Sequence, residues 1–83
     1  MKITVRYFAS IREAIGQGSE AVETAATTLG ALRDELIARG GAHASSLARG
    51  RAVRMALNQT LSDESATLGD GAEVAFFPPV TGG

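Results

Sequence analysis

The run Lys2–Phe8 (KITVRYF) alternates apolar and polar positions with a period of two and is rich in β-branched and aromatic side chains. This pattern predicts a strand that buries Ile3, Val5 and Tyr7 and turns Lys2, Thr4, Arg6 and Phe8 to the other face. Ile11, Ala14 and Ile15 then fall at helical spacing within ASIREAI, enough for a turn or two before Gly16-Gln17-Gly18 stops it. Ser19–Thr24 alternates more weakly and reads as an edge strand paired with the first. Thr27-Thr28 offers an N-cap hydroxyl to a helix over Leu29–Arg39, whose Leu29, Leu32, Leu36 and Ile37 make an amphipathic stripe. Arg39 suits the dipole of its last turn, and Gly40-Gly41 ends it.

Ala42–Gly50 (AHASSLARG) is small and polar, and reads as a loop with a short helical turn around Leu47. Val53, Met55 and Leu57 alternate with Ala52, Arg54 and Ala56 as a third strand. Asn58-Gln59 is a turn and Thr60-Leu61 a short partner strand. Ser62–Gly71 is a loop closing on Asp70-Gly71. Glu73–Phe77 is the last strand, ended by Pro78-Pro79 because proline cannot donate to a ladder. Strands on both sides of one main helix predict an α+β fold, a sheet of four to five strands with that helix on one face. With Val74 and Phe76 inward, Phe77 joins Phe8 on the outer face beside Arg6 and Arg54, a partner-binding patch. The opposite register buries Phe77 and leaves no patch.

Composition narrows the chemistry. Eighty-three residues make one domain, and 45% hydrophobic against 20% charged residues is a globular balance. The absence of cysteine excludes disulfides, thiolate metal sites and a cysteine nucleophile. The single histidine, His43, has no carboxylate or cysteine at ligand spacing and is expected to be an exposed imidazole, so no metal site is expected. A net charge of −1 argues against nucleic-acid binding. No apolar run is long enough to span a membrane and no signal peptide is visible, so a cytoplasmic location is expected. Gly16–Ala21 fits G-x-G-x-x-A, but a strand follows it where a dinucleotide site needs a helix. Asn58-Gln59-Thr60 fits a glycosylation pattern and reads as a turn. The adjacent carboxylates Asp34-Glu35 and Asp63-Glu64 form no acid–base couple.

The ending Phe76-Phe77-Pro78-Pro79-Val80-Thr81-Gly82-Gly83 is the one feature these readings leave over. The prolines favour an extended path, and six residues from Pro78 reach roughly 20 Å, against an expected radius of gyration of roughly 12 Å. Gly82-Gly83 has no side chains and can pass a narrow channel, presenting a terminal carboxylate to chemistry.

VRYFASIREAIG (Val5–Gly16), ALNQTL (Ala56–Leu61) and above all GDGAEVAFFPPVTGG (Gly69–Gly83) resemble the small-subunit family of molybdopterin synthase, ubiquitin-like sulfur carriers with a β-grasp fold. The resemblance implies a β-grasp domain over residues 1–77 and an extended diglycine tail over 78–83. It implies that the Gly83 carboxylate is adenylated with ATP by an E1-like enzyme and converted to a thiocarboxylate by a sulfur donor protein. Sulfur then passes to cyclic pyranopterin monophosphate inside the large synthase subunit, in a heterotetramer. Gly83 is the reactive residue, Gly82, Thr81 and Val80 thread the partner's channel, and Phe8, Leu61, Phe77 and Pro78 contact the partner. No cofactor is bound, and the isolated chain is not catalytic. Lacking cysteine, the chain cannot hold sulfur as a persulfide. A carrier for thiamin or cysteine synthesis, a ubiquitin-like protein modifier and a plain interaction domain are the competing readings.

Overall fold

In a computed structural model, which describes residues 1–79, the alternation of the opening run becomes a half-buried strand. β1 (Lys2–Tyr7) buries Ile3, Val5 and Tyr7 and exposes the residues between them. β2 (Ser19–Glu23) runs antiparallel to it, with Ile3 opposite Val22 and Val5 opposite Glu20. Between them lies α1 (Ala9–Ile15), which buries Ile11 and closes on Gly16 at φ 90°. That left-handed cap is most easily adopted by glycine.

β5 (Glu73–Phe77) lies parallel to β1 and antiparallel to β3 (Arg54–Leu57), and β4 (Thr60–Ser62) flanks β3. The five-stranded mixed sheet has the order β2-β1-β5-β3-β4. The longest helix, α2 (Leu29–Ile37), starts where Thr28 Oγ1 accepts a hydrogen bond from the Ala31 amide at 3.2 Å. Its Leu29, Leu32 and Leu36 pack with Ile3, Val5, Val74 and Phe76, all nearly inaccessible to solvent, as one core on the inner face of the sheet. Sheet order and helix placement make this the β-grasp architecture. Val74 and Phe76 point inward, so the register that leaves Phe77 on the outer face is the one adopted.

Three local expectations are corrected. Ala42–Gly50 is not mainly loop, because Gly41–Leu47 forms a further helix, α3. Leu47 anchors it in the core, and buried Arg33 of α2 donates to the carbonyls of Leu47 at 2.7 Å and Ala48 at 2.9 Å, satisfying its open C-terminal end. α2 stops at Ile37, so Arg39 lies past its last turn. His43 sits on α3, largely buried, rather than in an exposed loop. Among the described residues no helix is long and apolar enough to cross a membrane.

Candidate functional site

The strand register assembles the outer face row by row. Arg6 lies opposite Ala75, Ala75 opposite Ala56, and Ala56 opposite Leu61, so four strands contribute one row. In the next row Phe77 faces Arg54. Tyr7 pairs with Phe76 and the Phe8 amide donates to the Phe76 carbonyl at 3.2 Å, which brings Phe8 up beside Phe77. The two alanines carry only methyl groups, and the large side chains around them make a rim. The resulting groove has a volume of about 620 Å³ and is lined by Phe8, Phe77, Pro78 and Pro79 at one end and by Gln59 and Glu73 at the other.

Phe8 and Leu61 are 38% and 62% exposed, and Phe77 and Pro78 are half-buried. The Arg6 guanidinium stands 5.1 Å from the centre of the Phe8 ring and 3.9 Å from the Glu73 carboxylate. Of the residues predicted to contact a partner, Phe8, Phe77 and Pro78 thus line one groove. Leu61 stands on the same face one strand further out, on a separate, smaller hollow beside Arg54 and Asp63. Val80, Thr81, Gly82 and Gly83 lie outside the described residues. Ala56, Ala75 and Gln59 were not singled out by sequence reasoning. The signal available for the alanines was their alternation with buried Met55, Val74 and Phe76, which places small side chains on the outer face of adjacent strands.

The inner side of the sheet holds a very different cluster. Glu20 accepts hydrogen bonds from the Tyr7 hydroxyl at 2.7 Å and from Arg39 at 2.7 Å, and pairs with His43 Nε2 at 2.9 Å. Burial acts to raise the Glu20 pKa, but the hydrogen bonds from Arg39, His43 and Tyr7 together outweigh it and hold the carboxyl at about 2. Burial, then the bond to Glu20, pushes the Tyr7 hydroxyl well above the usual phenol range. At neutral pH the glutamate is therefore a fixed anion and the tyrosine a fixed donor, neither poised to exchange a proton. The Tyr7 and His43 rings meet edge to face at 5.9 Å. This cluster fastens α3 and the chain after α2 onto β1 and β2.

A second set of charges does similar work on the far side of α2. Arg49 reaches Asp34 at 2.9 Å, the Gly30 carbonyl at 3.2 Å and Glu64. Arg33 lies 3.8 Å from Glu64. Burial pulls the Arg33 pKa down, and the Glu64 carboxylate opposes that. Among the described residues no three His, Asp or Glu side chains converge as a metal-ligand group.

Residues 5–83 match the model of the ThiS family. The chain is 43% identical over 81 residues to the molybdopterin synthase sulfur carrier subunit of Escherichia coli K12, covering 98% of this chain and 99% of that one. It is 40% identical, with the same coverage, to the protein of that name from Haemophilus influenzae. It also superposes, with a TM-score of 0.70 and 28% identity over the whole of both chains, on a chain in the solved complex of subunits 1 and 2 of the molybdopterin-converting factor of Helicobacter pylori.

Proposed function

The chain belongs to the ThiS family, and from that premise we propose that it is the sulfur carrier subunit of a molybdopterin synthase. The observation that carries the reading is the continuity of β5. One strand supplies the floor and rim of the apolar outer groove through Ala75 and Phe77, then runs directly into the Pro78-Pro79 segment that leads to the tail. A partner seated on this face is held beside the root of the tail it receives. The 40–43% identity to carriers of that name points to the same pathway.

The chemistry follows from the weakness of a carboxylate as an electrophile. An oxygen of the Gly83 carboxylate attacks the α-phosphorus of ATP on an E1-like enzyme, and pyrophosphate leaves. A persulfide on a donor protein attacks the resulting acyl-adenylate and AMP leaves; a second thiol of the donor then cleaves the acyl disulfide at its S–S bond, becoming part of a donor disulfide and freeing the thiocarboxylate on Gly83. Inside the large subunit, Val80, Thr81 and Gly82 thread the channel. The terminal sulfur passes to cyclic pyranopterin monophosphate, and two rounds build the dithiolene. Phe8, Leu61, Phe77 and Pro78 contribute docking area; proton transfer and substrate contacts come from the large subunit. The working assembly is a cytoplasmic heterotetramer of large and small subunits.

Reconstitution separates this pathway from its neighbours. The chain carrying a thiocarboxylate, mixed with the large subunit and cyclic pyranopterin monophosphate, should yield molybdopterin. Delivery of sulfur to the acceptors of thiamin or cysteine synthesis, with none to the large subunit, would overturn the assignment.

A further inference from the structure

The β3–β4 connection is a two-residue turn, Asn58 and Gln59, with Leu57 paired to Thr60 across it. Both residues have positive φ, 50° and 69°, which defines a type I′ hairpin. Asn58 has a local reason to be there. Its amide donates to the Glu73 carbonyl at 2.8 Å, and its side-chain oxygen accepts from the Glu73 amide at 2.9 Å, pinning the start of β5. Asparagine also tolerates the left-handed region better than most residues.

Gln59 has no such reason. Asn-Gly is the pair this turn favours most, and a glutamine in the glycine position is strained. The side chain is exposed, and among the described residues its carboxamide makes no hydrogen bond. It does line the outer groove, at the end opposite Phe8, Phe77 and Pro78. Along β5 these ends are separated by about 13 Å at the usual strand rise. The charged groups near Gln59 are already matched, Arg6 with Glu73. The groove is therefore apolar where the chain leaves the sheet and carries one uncommitted donor–acceptor group at its far end.

We propose that Gln59 is a specificity-determining contact: its carboxamide hydrogen-bonds the surface seated in the groove and fixes which way round that surface lies relative to the tail. The inference rests on the docking role assigned above to this face. The partner it fits presents an apolar segment to the Ala56–Ala75 floor and an uncharged polar group, such as an exposed peptide unit, at the Gln59 end. Backbone strain is tolerated where binding needs the side chain.

The test reads stability and affinity together, because the two move in opposite directions. Gln59→Gly restores the favoured turn, so its melting temperature should rise by about 2–6 °C, while its Kd for the large synthase subunit should rise about five- to tenfold. Gln59→Asn, which brings in a left-handed-tolerant residue one methylene shorter, should raise the melting temperature by less than glycine does and weaken binding similarly. An unchanged Kd for Gln59→Gly beside weakened binding by Phe77→Ala would overturn the inference and leave the docking face standing. If neither variant weakens binding, the docking face itself is wrong and the inference goes with it. A lower melting temperature for Gln59→Gly would also overturn it, since the turn would then not be strained at Gln59.

Discussion

The inner side of the sheet holds a tyrosine, a histidine and an arginine gathered within hydrogen-bonding reach of one glutamate, while the outer side offers mainly methyl groups and phenyl rings. Residue type alone would place the chemistry on the inner side. The geometry gives these four side chains a different part. Glu20 is saturated with donors and locked as an anion, and Tyr7 is locked as a donor, so the inner cluster acts as a clasp. The outer face has a concave floor of Ala56 and Ala75 and a rim, apolar at the Phe8, Phe77 and Pro78 end, that the fold leaves partly open. On the proposed reading the reacting atoms travel on the tail and the catalytic groups belong to the partner. Such a protein needs a rigid body, a docking face and a free end, and its reactive-looking side chains are available for stability.

Variants on the two sides of the sheet and on the tail should separate loading, docking and stability. The largest effect belongs to the tail: removing Gly82-Gly83 should abolish sulfur loading completely and leave the thermal unfolding curve unchanged, since the core lies within residues 3–76. Phe77→Ala comes next. Loss of a central aromatic contact should weaken binding to the large subunit by about 2 kcal/mol, roughly 30-fold by calorimetry. Its stability cost should be smaller than that of truncating the fully buried Phe76.

Glu20→Gln should show the reverse profile, with unfolding free energy reduced by about 2 kcal/mol and the large-subunit Kd unchanged. The same residue sets an acid dependence. Its pKa falls from 4.5 to about 2 on folding, so its contribution is fully present above pH 4.5 and is lost as pH falls through about 2. Urea denaturation of the wild type at pH 7, 4 and 2.5 should show that loss, on the order of 2 kcal/mol, and Glu20→Gln should flatten it. The smallest effect is Leu61→Ala at the open edge of the face. Stability should stay within about 0.5 kcal/mol, and the Kd should rise only a few-fold.

Much of this division was legible in the sequence. The alternation in Lys2–Phe8 places Tyr7 inside and Phe8 outside, whereas Glu73–Phe77 allows two registers, and the structure adopts the one with Phe76 inside and Phe77 outside. The leucine spacing of α2 was equally direct. α3 was hidden because GAHASSL has low helix propensity and one strong anchor, Leu47; its support comes from Arg33, fourteen residues earlier. His43 was misplaced for the same reason, since its partner Glu20 is twenty-three residues away and only the packing of α3 against α1 and α2 brings them together. The groove floor was illegible residue by residue: an alanine on a strand carries no message until register sets a second one beside it.

On the proposed reading the end of the tail, and no side chain, carries the sulfur. Intact mass spectrometry tests this directly on the chain produced together with its adenylating enzyme and a sulfur donor. The full-length chain should gain the mass of one oxygen replaced by sulfur, with fragmentation placing the change on Gly83, and the chain lacking Gly82-Gly83 should gain nothing. An unchanged mass for the full-length chain, or a sulfur adduct that survives removal of the two glycines, would contradict it.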